Sequence, residues 1–204
     1  MYRTVVKVIL DFLVAFVALI LLFPLLLIIA AALWVFQDRQ VVFRQIRPGL
    51  QAKPFTLFKF QTMRDTRDAN GELLPDEQRL TQIGRALRAS SLDELPQLLN
   101  VLRGEMSLIG PRPLLPEYVP LYNSFQRRRM EVRPGITGLA QVRGRNLLTW
   151  EQRFKADVEY VERCSFSLDL EILFRTVASV VKRSGISPAD SVIMQRFTGS
   201  DGQC

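Results

Sequence analysis

FLVAFVALILLFPLLLIIAAALWVF, Phe12 to Phe36, carries neither a charge nor a hydroxyl, and how it is read decides the fold. As one helix it would extend ~37 Å, more than the ~30 Å of a bilayer's hydrocarbon core, so it is long enough to cross. Pro24 lies at its midpoint. An interior proline removes a backbone hydrogen bond and costs about 3 kcal/mol, which marks a kink or a turn-back. Arg3 and Lys7 precede the run, and Arg39, Arg44, Arg47 and Lys53 follow it. With both flanks basic, the positive-inside tendency is best met when both ends stay cytoplasmic, as in a re-entrant helix. Two alternatives stay open. One is a kinked single span; the other is a cleaved leader ending at Ala30–Ala32, although the run exceeds the ~7–15 apolar residues usual for a leader.

Working outward, the composition turns polar after Trp34, giving a membrane-embedded unit over residues 1–36 and a cytosolic unit over 37–204. A net charge of +7 and a pI near 9.9 point to anionic partners: nucleic acid, a phospholipid surface or phosphorylated small molecules. No nucleic-acid recognition motif is present, and the lipid-seeking segment argues against that class. Cys164 and Cys204 are the only cysteines and histidine is absent, which excludes a zinc motif and a disulfide framework. Any metal must be a hard ion held by oxygens, most plausibly Mg2+.

Val41–Ile46 and Pro54–Phe60 alternate and are β-rich, with Pro48 and Gly49 between them, so they predict a hairpin that puts Lys59 on the face of Phe55 and Leu57. Leu95, Leu98, Leu99 and Leu102 predict a helix opened by Ser90 or Ser91 and closed by Gly104. The proline-rich passage from Gly110 to Pro120 predicts a shaped loop. Thr149 and Gln152 predict a capping box, followed by a helix with Trp150, Phe154, Val158 and Val161 in one stripe and Asp157 at its border. A final helix over about Asp169–Arg183 has Ile172, Leu173, Val177, Val180 and Val181 on its apolar side, to cover the core or to lie on lipid. The fold class is α+β and mostly helical: a re-entrant, kinked membrane helix, then a domain with one β-hairpin and interfacial amphipathic helices.

SSLDELPQLLNVLRG, Ser90 to Gly104, carries the chemistry or merely a cap. Ser91 and Glu94 satisfy S-x-x-E, and acids in a first helical turn are stabilised by the macrodipole. The same helix end can also keep Asp93 ionised and offer unpaired N–H groups to a phosphate. Adjacent helical positions diverge by about 100°, so Asp93 and Glu94 are placed for different roles.

SLDELPQLLNVLRGEMSLIGPRP, preceded by FKFQTM and followed by VRPGITGLAQVRGRN, resembles the small monotopic phosphoglycosyl transferases of bacterial glycan assembly, and the likeness covers nearly the whole chain. The resemblance implies transfer of a sugar 1-phosphate from a UDP-sugar, in its closest likeness an N-acetylated amino sugar, to undecaprenyl phosphate with release of UMP. A galactose or glucose 1-phosphate transferase is the alternative enzyme, and a noncatalytic membrane-tethered basic module the alternative from another class. The resemblance makes Asp93 the nucleophile of a covalent phosphosugar intermediate and Glu94 the magnesium-holding partner. It places Lys59, Arg88, Arg112 and Asp157 as further polar site residues. It also implies residence at the bacterial inner membrane, with the catalytic domain on the cytoplasmic face and the product passed to downstream glycosyltransferases. Taken singly, Lys59, Arg88 and Asp157 also read as an exposed strand lysine, a solvated helix-end charge and a salt-bridged acid. Arg127 to Arg129 read as a solvated or headgroup-facing cluster. One departure is local: the family's serine before the membrane-helix proline is Phe23 here, so no hydroxyl is available to the carbonyls freed at Pro24.

The chemistry needs no histidine. A carboxylate with a pKa near ~4 is anionic at neutral pH, and a phosphate acceptor is largely ionised as well. The difficulty is charge repulsion, which a cation and a bidentate arginine such as Arg112, held between Pro111 and Pro113, relieve.

Overall fold

A computed structural model describes residues 1–37, 39–144, 147–181 and 196–199. A π-helical turn, Tyr2–Val6, leads into α1, Lys7–Phe36, which continues through Pro24. The hairpin follows, β1 (Val42–Pro48) against β2 (Pro54–Phe60), antiparallel with Phe43 opposite Lys59 and Arg47 opposite Phe55. Its first strand runs two residues further than the alternation suggested, to Pro48. Short α2 (Asp76–Arg79) and α3 (Gln82–Ala89) precede a 3-10 turn, Leu92–Gln97, and α4, Leu98–Leu102. Next come β3 (Ser107–Ile109), the proline-rich loop with a 3-10 turn at Pro116–Leu121, α5 (Ser124–Arg127), β4 (Gly135–Thr137) and α6 (Leu139–Arg143). The last helices among the described residues are α7 (Trp150–Arg163) and α8 (Phe166–Val181).

α1 is apolar around its whole circumference, and most of its side chains face outward, with Ile20, Leu21, Phe23, Leu27 and Ile28 all more than half exposed. Only lipid satisfies such a sleeve, so the chain is anchored in a membrane through α1. A single inner line does pack on the domain. Ala15 joins Phe55, Leu57, Leu98, Val101 and Met106, while Ile29 and Leu33 join Phe60 and Leu87. Both ends of α1 are also tied by polar contacts. Lys7 donates to Asp169 at 2.7 Å, Tyr2 donates to the same carboxylate at 2.6 Å, and Ser107 donates to Asp11 at 2.6 Å. At the far end the Gln37 amide donates to the carbonyl of Gln61, and its oxygen accepts from Thr81.

The expected capping box at Thr149 forms in full, and α7 buries Phe154, Val158 and Val161 as its stripe requires. α8 begins three residues earlier than expected, at Phe166, so Asp169 lies one turn inside and is buried. Leu168 and Ile172 enter the core, whereas Leu170, Leu173, Phe174 and Val177 face outward. The expected helix end at Lys182, Arg183 and Gly185 lies outside the described residues.

The parallel pair β3 and β4 had no legible signal: three-residue strands are too short to show a period. Glycine makes it possible. A Cβ on Gly135 would stand 2.1 Å from the Gly110 nitrogen, so only glycine lets the two backbones meet there. Gly135→Ala is expected to lower stability by about 2 kcal/mol or more, read as a fall in thermal midpoint in lipid nanodiscs. An unchanged midpoint would show the contact to be dispensable.

Candidate active site

The Asp93–Glu94 pair sits on the 3-10 turn rather than at the start of an α-helix. Ser91 enters with φ 57°, and Pro96 lacks the N–H that an α-helical turn would donate to Leu92, so the chain winds tighter. The expected S-x-x-E box does not form: the Ser91 side chain makes no cap hydrogen bond. Glu94 is instead held by two cations. Lys59 Nζ lies 2.8 Å from Glu94 Oε1, and Arg112 reaches both oxygens, Nη2 to Oε1 at 2.5 Å and Nη1 to Oε2 at 3.3 Å.

Three segments must meet for this. Asn100, fully buried on α4, accepts from the Phe58 amide at 3.1 Å and donates to the Thr56 carbonyl at 2.7 Å, which fixes β2 and hence Lys59 against the Asp93 turn. α3 is seated on the Thr62 backbone through Gly84, and one turn later Arg88 Nε donates to Thr62 Oγ1 at 2.9 Å. The Arg112 loop is clamped from behind. Arg129 Nη2 donates to the Arg112 carbonyl at 2.7 Å, while Nε and Nη2 grip Asp157 at 2.9 and 2.7 Å.

Asp93 makes no hydrogen bond or ion pair with the described residues, although it is only 8% exposed. Burial, and then the charge of Glu94, push its carboxyl above the usual carboxylate range. Glu94 goes the other way: burial opposes its charge, but Arg112 and Lys59 together outweigh that and bring it down to about 2. Burial and the neighbouring Arg112 lower Lys59, whereas Glu94 raises Arg112. The pair therefore has one carboxylate locked in an ionic cluster and one left free.

All six side chains expected in the site, Lys59, Arg88, Asp93, Glu94, Arg112 and Asp157, line one cavity of about 880 Å³. That volume suits a ligand of nucleotide-sugar size. Asp157 contributes as the buried partner of Arg129, so its role is to hold the Arg112 loop. Arg129 corrects the reading of residues 127–129 as a solvated cluster: it is 4% exposed, whereas Arg127 is exposed and Arg128, paired with Glu162 and Glu131, stays at the surface as expected. Neither Asn100 nor Arg129 was singled out from the sequence. The one cue to Asn100 is its position inside the apolar QLLNVL; Arg129 has none, lying in a run of three arginines. Arg133 donates to the Gly104 carbonyl at an exposed site, and Arg145 is outside the described residues.

Among the described residues no group of three or more His, Cys, Asp or Glu side chains comes together. Mg2+ takes one or two protein carboxylates and fills its shell with phosphate and water; Glu94 Oε1 is held by Lys59 and Arg112, so an ion shared with substrate would take Glu94 through Oε2, whose contact to Arg112 is 3.3 Å.

A membrane-anchored domain with an unpaired carboxylate in a cationic cavity has the parts of an enzyme acting on anionic substrates at a lipid surface. Residues 2–183 match the family described as bacterial sugar transferase. A Bacillus subtilis relative, the uncharacterised sugar transferase EpsL, is 59% identical over 160 residues, covering 78% of this chain and 79% of its own. A UDP-glucose:undecaprenyl-phosphate glucose-1-phosphate transferase of Caulobacter vibrioides is 41% identical over 185 residues, covering 86% and 69%. The galactosyl transferase CpsE of Streptococcus agalactiae is 39% identical over 158 residues, covering 71% of this chain and 35% of CpsE. The chain belongs to the bacterial sugar transferase family and is a phosphoglycosyl transferase.

Because the Arg129 and Asp157 side chains are 3% and 2% exposed, removing one leaves the other charged and dry. Arg129→Met is expected to cost about 3–5 kcal/mol in nanodisc unfolding. Arg129→Met with Asp157→Leu should regain most of that stability but not full activity, since the Arg112 carbonyl loses its donor either way.

Proposed function

We propose that the chain transfers a hexose 1-phosphate from a UDP-sugar to undecaprenyl phosphate in two displacements at Asp93. The carrying observation is the unpaired Asp93 carboxylate beside a neutralised Glu94. In the first step an Asp93 oxygen bonds to the sugar-bearing phosphorus, the bond from that phosphorus to the bridging oxygen breaks, and UMP leaves with the electron pair. In the second, a phosphate oxygen of undecaprenyl phosphate attacks the same phosphorus. The Asp93 carboxylate is released and the lipid-linked diphosphate sugar forms. Neither step requires a proton shuttle, in keeping with a chain that has no histidine.

Arg112 and Lys59 screen the approach of one anion to another and stabilise the charge on the phosphoryl oxygens. Arg88, bonded through Nε, keeps its remaining N–H groups for the cavity. Glu94 would hold Mg2+, which when bound neutralises diphosphate charge. Relatives named for glucose and galactose transfer support a hexose over the N-acetylated amino sugar.

Re-entry of α1 is part of the proposal. Its two polar ties, Lys7 to Asp169 and Gln37 to Gln61, belong to one domain. A perpendicular crossing would carry them to opposite membrane surfaces, whereas a bend keeps both ends, and the catalytic domain, on the cytoplasmic face. The outward line Leu170, Leu173, Phe174 and Val177 of α8 then lies on lipid.

With Mg2+, undecaprenyl phosphate and a panel of UDP-sugars, the protein in nanodiscs is expected to release UMP, with UDP-glucose or UDP-galactose preferred, and to gain the mass of one sugar phosphate. Asp93→Asn should abolish the adduct and cut turnover by on the order of 10⁴-fold or more. Chelation should slow UMP release, and added Mg2+ restore it. Adduct-free turnover by Asp93→Asn would sink the mechanism, and phosphate binding without UMP release would mark a noncatalytic module. Topology has its own test: in a chain lacking Cys164 and Cys204, single cysteines at Thr4 and Gln40 should label from the same side of sealed vesicles. Labelling from opposite sides would reject re-entry.

A further inference from the structure

Arg47 has no place in the scheme above, yet it lines the same cavity. The β1 residues Phe43, Gln45 and Arg47 alternate toward it, on the hairpin face shared with Phe55, Leu57 and Lys59. Lys59 stands opposite Phe43 and Arg47 opposite Phe55, so the two cations mark the ends of this face, about 13 Å apart along the strands.

The bonding of Arg47 is poor for a cation withdrawn from water. Nη2 donates to the neutral Gln45 Oε1 at 2.5 Å, and Nη1 makes only a long contact, 3.4 Å, to the Pro113 carbonyl. Nε is sealed from solvent and has no acceptor. Among the described residues the guanidinium forms no salt bridge; Glu117, a carboxylate near enough to act on it, is held by Arg196. Burial and the like charge of Arg112 both weigh against its proton. Such a group is stabilised when an anion arrives.

The order of charges says which anion. Arg112 reaches Glu94, the residue after Asp93, and the next residue in its loop, Pro113, offers its carbonyl to Arg47. The Arg112 loop thus links the turn that carries the nucleophile to Arg47. Resting on the two-displacement reading, we infer that Arg47 is the seat of the phosphate that is not attacked, the one that departs in UMP. Arg112 grips the transferred phosphoryl group, and Arg47 grips the next phosphate along. As the bridging P–O bond breaks, the leaving phosphate gains charge while facing a guanidinium that has no other anion to hold. Arg47 therefore serves the first displacement, and the second, which has no nucleotide, does without it.

The test separates nucleotide phosphate from nucleoside, and first step from second. UMP and uridine binding are measured by calorimetry on nanodisc-held protein with Arg47, Arg47→Gln and Arg47→Lys. Arg47→Gln is expected to weaken UMP by about 10- to 100-fold and leave uridine unchanged. Arg47→Lys, which keeps the charge but not the fork, should fall between. In single-turnover assays Arg47→Gln should raise the UDP-sugar concentration needed for adduct formation, while adduct formed at saturation passes to undecaprenyl phosphate within ~2-fold of the parent rate. Unchanged UMP affinity, equal loss of uridine binding, or equal slowing of both steps would each overturn the assignment. The binding arm needs no turnover, so it reads the Arg47 seat even if the covalent mechanism fails. If Arg47→Gln lowers the thermal midpoint, Arg47→Lys alone decides: parent-like UMP affinity overturns the seat, and a loss with uridine unchanged supports it.

Discussion

The site depends on Glu94 being claimed from two sides. A carboxylate that is 16% exposed would be costly to keep charged alone, but Lys59 from β2 and Arg112 from the proline-rich loop satisfy it together. The cluster serves as a junction as well as an electrostatic device. It joins the hairpin, the 3-10 turn and the loop at one point, and Asn100 and Arg129 hold two of those segments in place from behind. With its neighbour so occupied, Asp93 lines the cavity with no hydrogen bond or ion pair of its own among the described residues.

The membrane helix takes part in the same construction. Ala15 of α1 packs into the cluster that contains Phe55 and Leu57, four and two residues before Lys59 on the same strand face. Ile29 and Leu33 close over Phe60, the residue after it. Residues 1–36, set apart by composition, thus supply one wall of the core that supports the catalytic strand. Placement of the site at the lipid boundary follows from packing.

Much of this was legible because it obeys local rules. The hairpin shows its period of two, the Thr149 capping box its spacing, and α7 its stripe. The six residues expected in the site were picked through the order of several motif blocks, and they line one cavity. What escaped was set by tertiary contact. Ser91 and Glu94 carry a cap signature, yet Pro96 tightens the turn and two distant cations outcompete the backbone for Glu94. Arg129 lies in a basic run that spacing cannot sort, and only the buried Asp157 on α7 picks it out. Arg47 was counted as a flank charge of the membrane segment, since a strand side chain's neighbours across the fold leave no trace in its own surroundings.

The latch from Lys7 to Asp169 joins positions 162 residues apart. A ribosome makes the first long before the second, so the nascent apolar helix enters the bilayer while the acid that will hold its polar end is still untranslated. During that interval Asp11, one turn along α1 and 3.6 Å from Lys7 in the folded chain, is the carboxylate at hand for it, and Asp169 joins the pair when it emerges. The membrane helix is thus made well before the enzyme can close, and α8 brings the acid that fastens it.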